Sequence, residues 1–466
     1  MPGQLALLFS DYLIWATTLA ATILLLLGLR NPLQRQRWQM ILSSAPAMAS
    51  SILLMVFLSV ALLDSIHFRP LVEANPLEPE QPTTRSSVLR YAGSEISLLD
   101  QILTPLRSAQ ERTYSAPLAI FSYSKESIIS ADGIRRVYPR LEYGGAHLDD
   151  PDQHHADLIR RSLQGVGIGL FLLIPLGLLL SRVTAGSNTG DSPLLAWRSA
   201  FVTLAGLILL GSIAGQLAGH YHLLGTDKVG QDVLYLGLKS IRTGVLIGTL
   251  TLLIMLPFAV LLGMAAGYFG GRIDDVIQYI YTTLSSIPGV LLIAAAVLSI
   301  NLYLDQNLTA NTSLHQRADL RLLMLTGILG LTGWIGLCRL LRAESLKLRE
   351  LDYVTAARAF GVSDPRILLR HLLPNLGHLV LITLVIDFSG LVLAEAVLSY
   401  VGVGVDPSMI SWGNMINGAR LELAREPVVW WSLATAFIFM FTLVLCANLF
   451  ADAVRDALDP RLRGSQ

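Results

Sequence analysis

Long apolar runs separated by short polar connections dominate this chain. A helix needs about twenty mostly apolar residues to cross the hydrocarbon of a bilayer. Runs of that kind recur at roughly 11–29, 46–63, 165–181, 199–218, 243–266, 284–303, 322–341, 376–399 and 429–449. The pattern predicts nine membrane helices, or eight if the first run is not a span. Run 165–181 is short and contains Pro175. The connections orient the set. Arg30, Arg35 and Arg37 follow the first run, and Arg182 and Arg198 flank the third connection. Basic short loops stay in the cytoplasm, so the N-terminus is expected outside and the C-terminus inside.

One long interval breaks the rhythm. Residues 64–162 are rich in prolines, charges and aromatics and fall on the outer side of the predicted topology. About a hundred residues suffice for a small domain. Its early part, Glu73–Arg85, reads as extended linker around Pro76, Pro79 and Pro82. Its later part, Pro117–Tyr143, has a strand-like run at Leu118–Tyr123 and turn signals at Asp132-Gly133 and Gly144-Gly145. His147, His154 and His155 stand near Asp149, Asp150, Asp152 and Asp157, but no fixed ligand spacing joins them, and a solvated loop is the expectation.

Composition sharpens the class. The chain has 466 residues, 53% of them hydrophobic, and a mean hydropathy of +0.56, as an integral membrane protein should. Thirty-four basic residues balance 34 acidic ones, which argues against nucleic acid as a partner. Cys338 and Cys446, the only two cysteines, lie in apolar runs and read as small buried hydrophobes. No basic residue precedes the first apolar run, so no cleavable signal peptide is expected.

The most polar stretch of the second half is Leu351–Asn375, LDYVTAARAFGVSDPRILLRHLLPN. From Arg339 to His371 there are seven Lys/Arg against four acids, which places this loop in the cytoplasm. Asp352–Phe360 is rich in helix formers. Gly361 can take the left-handed conformation that closes a helix. Asp364 can cap a second helix with Pro365 at its first position, and Pro374 is expected to stop or kink it. Ala356, Ala357 and Ala359 leave one face low, suited to close approach by another protein. A docking element and a solvated linker both remain open on this physics.

Ala356-Ala357, Gly361 and Leu373-Pro374 resemble the "EAA" signature of ABC importer permeases, and the whole run resembles the oligopeptide/dipeptide branch. Thr355 stands where that signature has Glu, and His371 where it has Ile, as is usual in the peptide branch. The resemblance extends through residues 199–466. Leu224-Gly225-Thr226-Asp227 with Gly230 and Asp232 is similar to the family's LGTDxxGxD segment, and Gln231 stands where Arg is common. Ala266–Arg272, Glu395–Gly404 and Ser411–Met415 are similar too, as is the ending Arg455–Arg461.

The resemblance implies an all-α polytopic membrane protein, a type I ABC importer transmembrane domain, with extra N-terminal helices and a small extracytoplasmic domain. Its expected parts are membrane helices at 1–63, an extracytoplasmic domain at 64–162, a further helix and loop at 163–198, and a permease core at 199–466 with a coupling loop at 350–375. It implies a permease subunit for peptides or peptide-like solutes in the bacterial inner membrane. The implied partners are two ABC ATPase subunits, a second homologous permease and an extracytoplasmic solute-binding protein. No cofactor and no metal are implied. Thr355, Ala356, Ala357, Gly361, Asp364, Arg366, His371, Leu373 and Pro374 would couple to the ATPase.

Four acids outside that loop are further candidates. Asp387 and Glu395 lie eight residues apart within one apolar run, about two helical turns. A carboxylate there is costly, so each either lines the translocation path or makes a structural hydrogen bond. Asp227 and Asp232 either fix a turn through Asx bonds or shape the channel mouth. Gly225 and Gly230 have P-loop spacing, but Gln231-Asp232 stands where Lys and Ser/Thr must be, so ATP hydrolysis is assigned to other subunits. Trp412, Trp430 and Trp431 suit an interfacial belt. A membrane enzyme finds no HExxH or GxSxG to support it. A membrane-anchored sensor or scaffold, with the outer domain as receptor, is the alternative reading.

Overall fold

The computed structural model describes residues 3–71, 95–130, 133–186, 196–307 and 313–458. The expected linker Glu73–Arg85, the turn residue Asp132 and the ending Asp459–Arg461 lie outside them. Long apolar runs make most of the described elements helical.

The N-terminal part holds β1 (Gly3–Leu5), α1 (Phe9–Leu29), α2 (Pro32–Ser43) and α3 (Ala45–Asp64). Next come β2 (His67–Pro70), β3 (Ile96–Ser97), α4 (Leu98–Ile102), α5 (Thr104–Ser108), β4 (Glu126–Ser130) and β5 (Gly133–Val137). Two long helices follow, α6 (His154–Gly186) and α7 (Trp197–Ala218). The remainder comprises α8 (Val233–Phe269), α9 (Gly271–Ser285), α10 (Gly289–Asn307), α11 (Leu314–Gly333), α12 (Ile335–Leu348), α13 (Asp352–Ala359), α14 (Asp364–Ile367), α15 (Leu373–Val401), α16 (Trp412–Glu422) and α17 (Trp431–Leu458).

Among the described residues, eight helical stretches are long and apolar enough to span a bilayer, and α9 with α10 forms a ninth if that bent pair is one span. The two meet at 84° at Ser286–Pro288, where Pro288 and Gly289 interrupt the helix. All nine apolar runs of the sequence fall on helices, with the 284–303 run holding the break between α9 and α10.

The 64–162 interval is less regular than the sequence suggests. β1–β2–β3 form a small antiparallel sheet, and β4–β5 form a hairpin in which Ser130 pairs with Gly133. The strand-like run Leu118–Tyr123 makes only isolated bridges. Leu118 has φ +59°, off the extended region, and follows a proline, so the ladder cannot start there.

Spatial order departs from chain order. α8 packs against α3, α11, α12 and α15, and α17 packs against α3, α15 and α16. α7 precedes α8 in the chain but packs on α6 and α3. In space α3 completes the helical body around α8, and α6–α7 is a peripheral hairpin. The expected division at residue 199 is therefore a division of the sequence and not of the packing.

Two apolar clusters fill the body. One, around Leu246, Leu322, Val392, Trp412 and Leu443, lies toward the end that carries 95–162. The other, around Met264, Tyr268, Leu337, Ile367 and Leu376, supports the Leu351–Asn375 loop.

Candidate functional site

The Leu351–Asn375 loop is a closed, braced structure. Helix α13 ends in a paired turn: Val362 N–H donates to Ala357 O at 3.1 Å, and Gly361 N–H to Arg358 O at 3.0 Å. That pattern requires a left-handed residue at Gly361, whose φ is +75°. Val354, Ile367 and Leu372 are buried beneath the loop. From α8, the Tyr268 hydroxyl donates to Asp364 at 2.7 Å, and the Arg358 guanidinium lies 4.9 Å from the centre of the same ring.

Asp364 is therefore not a cap. Ser363 occupies the cap position of α14 without a side-chain bond, and Asp364 spends its carboxylate on Tyr268. Pro374 does not stop the helix either. The chain passes from α14 through a π turn at Leu368–Leu372 into α15. A π turn shifts the hydrogen-bond register by one residue, and Pro374 lacks the N–H that the regular register would use.

Thr355, Ala356 and Ala359 are exposed, whereas Ala357 is half-buried against the supporting cluster. Phe360 is 87% exposed at the end of the same helix, a large apolar side chain presented to solvent. Arg366 and Pro374 are exposed too. His371 and Leu373 are half-buried, and Asn375 bonds to Tyr353 Oη at 2.9 Å and His371 O at 2.8 Å.

At the other end of the bundle, the LGTDxxGxD segment is locked to residues 111–145. Asp227 accepts from Val229 N at 3.0 Å and Gln231 N at 2.8 Å, which shapes the turn. Asp232 caps α8, accepting from Leu234 N at 2.9 Å and Tyr235 N at 3.1 Å. Its other oxygen binds His222 Nδ1 at 2.8 Å, and His222 Nε2 lies 3.4 Å from Glu111 Oε1. Glu111 also accepts the backbone N–H groups of Glu142, Tyr143 and Gly144 at 2.8–3.0 Å.

All three side chains are buried. Burial opposes ionisation of Glu111, but His222 and those N–H groups override it and hold the carboxyl down at about 2. Burial likewise disfavours the His222 cation, yet Asp232 and Glu111 lift it to about 9. At neutral pH the group is an imidazolium between two carboxylates. Thr226 joins the lock: its hydroxyl lies 2.6 Å from Ser115 N, and its carbonyl accepts the Trp431 indole N–H at 2.9 Å.

Two of the three tryptophans expected at an interface are core residues. Trp412 is 1% and Trp431 2% exposed. Their N–H donors are satisfied inside the fold, Trp412 by Gly237 O at 3.1 Å. Only Trp430 is exposed among them.

The two acids of α15 have different surroundings. Glu395 is buried and accepts from Ser399 Oγ at 2.8 Å and Ser411 Oγ at 3.1 Å, which ties the start of α16 to α15. Asp387 is half-buried and has no hydrogen bond or ion pair among the described residues. His147 pairs with Asp157 at 2.7 Å, and His154 bonds to Leu118 O at 2.9 Å.

A cavity of about 300 Å³ opens near the lock, lined by Asp64, Asp100, Lys239, Arg242, His315 and Asp319 among others. Lys239 pairs with Asp100 and, at 3.4 Å, with Asp64. Burial opposes ionisation of Asp100, but Lys239 holds its carboxyl at about 2. Arg242 pairs with Asp11 at 2.6 Å. Ser10 bonds to both Arg242 and Asp319. This network is absent from the candidates above. Lys239 and Arg242 sit just before the apolar run at 243, and Asp11 and Asp64 at the edges of two others. Averaging hydropathy over a window trims such positions away, although charges on the last turns of several runs are a signal that they meet.

Comparison with known proteins agrees with this architecture. Residues 259–464 match the family described as binding-protein-dependent transport system inner membrane component. An oligopeptide transport system permease protein OppC from Mycobacterium tuberculosis H37Rv is 33% identical over 248 residues, 53% of this chain and 79% of the relative. A putative peptide transport system permease protein from Brucella suis is 30% identical over 308 residues, 66% of this chain and 90% of the relative. The dipeptide transport system permease protein DppC of Bacillus subtilis is 29% identical over 242 residues, 52% of this chain and 69% of the relative. With membrane-spanning helices, a loop of this pattern on the bundle and relatives covered over most of their length, this chain is a multi-pass transmembrane permease subunit of the ABC peptide-permease family.

Proposed function

We propose that this chain forms one half of the membrane path of an ATP-driven importer for peptides or peptide-like solutes in the bacterial inner membrane. Hydrolysis takes place in two separate ATPase subunits, a second related permease supplies the other half, and an extracytoplasmic binding protein delivers the solute. Residues 64–162 then face outward, the Leu351–Asn375 loop faces the cytosol, and Asp387 and Glu395 are candidates for the path. Asp387 is the better candidate, because it has no hydrogen-bond or ion-pair partner among the described residues. Asp227 and Asp232 shape the outer mouth by fixing its turn and the cap of α8.

The observation that carries this reading is the docking loop. A Gly-closed helix stands on a buried base, fastened to α8 through Tyr268, and presents Thr355, Ala356, Ala359 and Phe360 outward. Loop and bundle therefore move together, so that ATPase closure can change which side of the cavity is open. Ala356→Trp fills the low face, and Gly361→Val strains the left-handed turn by roughly 1–2 kcal/mol. Both variants should insert and pair with the second permease, lose the ATPases on co-purification and lose uptake of labelled peptide. Full uptake with normal ATPase recovery in both would make the loop a linker.

A further inference from the structure

Helix α8 touches both ends of the machine. Its inner end holds the docking loop through Tyr268, and packs so closely on α12 that a Cβ at Gly267 would lie 2.6 Å from Arg342 O. Its outer end is capped by Asp232, which His222 links to Glu111 of the inserted region. At 37 residues the helix is about 55 Å long, enough to connect the two faces of a bilayer. The contact with Glu111 is intimate. Gly230 has φ +77°, its carbonyl accepts Glu111 N–H at 3.0 Å, and a Cβ there would overlap the Glu111 carbonyl.

We propose that Glu111 is a positioning residue for transport: through His222 it fixes Asp232 and thereby the outer end of the helix that carries the docking loop. The inserted region is then a working part of the transporter. Without the Glu111 charge, His222 keeps a single carboxylate partner, the cap of α8 loosens, and movement at the outer mouth no longer reaches Tyr268 and Asp364. Glu111 touches neither the solute nor the ATPase in this scheme.

The inference rests on the transport reading above, and its test is made on the assembled transporter in proteoliposomes with ATPases and binding protein. Glu111→Gln keeps the shape and removes the charge. It should assemble normally and keep basal ATP hydrolysis, while hydrolysis stimulated by the binding protein and peptide uptake each fall at least tenfold. The half-saturating binding-protein concentration should stay within about twofold. Glu111→Asp, which restores the charge, should recover at least half of the uptake. Uptake by Glu111→Gln equal to wild type, or failure of Glu111→Asp to recover it, overturns the proposal. If Glu111→Gln does not reach the membrane, Glu111→Asp decides the matter alone: wild-type basal hydrolysis with partial loss of stimulation supports positioning, and parallel loss of both overturns it. Absence of peptide uptake by the wild-type complex would instead refute the transport reading.

Discussion

Replacing Arg242 by Leu should detach the N-terminal helix from the bundle. Among the described residues, α1 is the most weakly embedded of the candidate spans, with Ser10, Asp11 and Ile14 its buried positions. Those three lie in its first two turns, beside Arg242. Arg242 is 6% exposed; its guanidinium pairs with Asp11 at 2.6 Å and donates to Ser10 Oγ at 2.8 Å and Ser65 Oγ at 3.3 Å. Removing it leaves a fully buried carboxylate with two partners, His67 Nδ1 at 2.8 Å and Leu8 N at 2.9 Å. Breaking a buried pair costs about 3–5 kcal/mol. The surviving bonds keep the loss near the lower figure, about 3 kcal/mol, or roughly a hundredfold in the ratio of docked to detached α1. The assay is a cysteine at Ile14, 0% exposed, in a background with Cys338 and Cys446 changed to Ala. A small membrane-permeant maleimide should label it slowly with Arg242 present and rapidly in Arg242→Leu. Adding Asp11→Leu should restore most of the protection, because two apolar groups can replace a buried ion pair at little cost. Equal protection with and without Arg242, or a double variant as reactive as the single, would refute the reasoning.

Three further outcomes follow from the same physics. The inserted region should stay locked to the LGTDxxGxD segment between about pH 4.5 and 6.5. It should loosen toward pH 2 as Glu111 takes up its proton and toward pH 9 as His222 releases its own, and amide exchange at Glu111 and Thr226 reads both limbs. Gly230→Ala should speed exchange at Glu111 and lower thermal stability by about 1–2 kcal/mol, because the left-handed backbone and the Glu111 carbonyl both exclude a methyl group; unchanged stability would show that the two segments can part freely. Glu395→Leu should destabilise the α15–α16 junction by about 1–3 kcal/mol in thermal unfolding, since Ser399 and Ser411 lose their buried acceptor, and Glu395→Gln should retain most of it.

The helices, their approximate positions and the Gly-closed turn of the Leu351–Asn375 loop were legible in the sequence, because each is dictated locally. A bilayer demands runs of about twenty apolar residues whatever they pack against. A left-handed residue after a helix demands a glycine such as Gly361. Tertiary structure alone decided what depends on partners distant in the chain. Asp364 reads as a cap until Tyr268, 96 residues earlier, claims its carboxylate. Trp412 and Trp431 read as interfacial until Gly237 and Thr226 supply buried acceptors for their indoles. The place of α3 beside α8, with α7 displaced outward, follows from which apolar faces fit, and such complementarity leaves no periodic mark in the sequence. The pairings of Asp11 with Arg242 and of Glu111 with His222 span 231 and 111 residues. A charge at the edge of an apolar run states its cost locally, but only the fold determines which opposite charge offsets it.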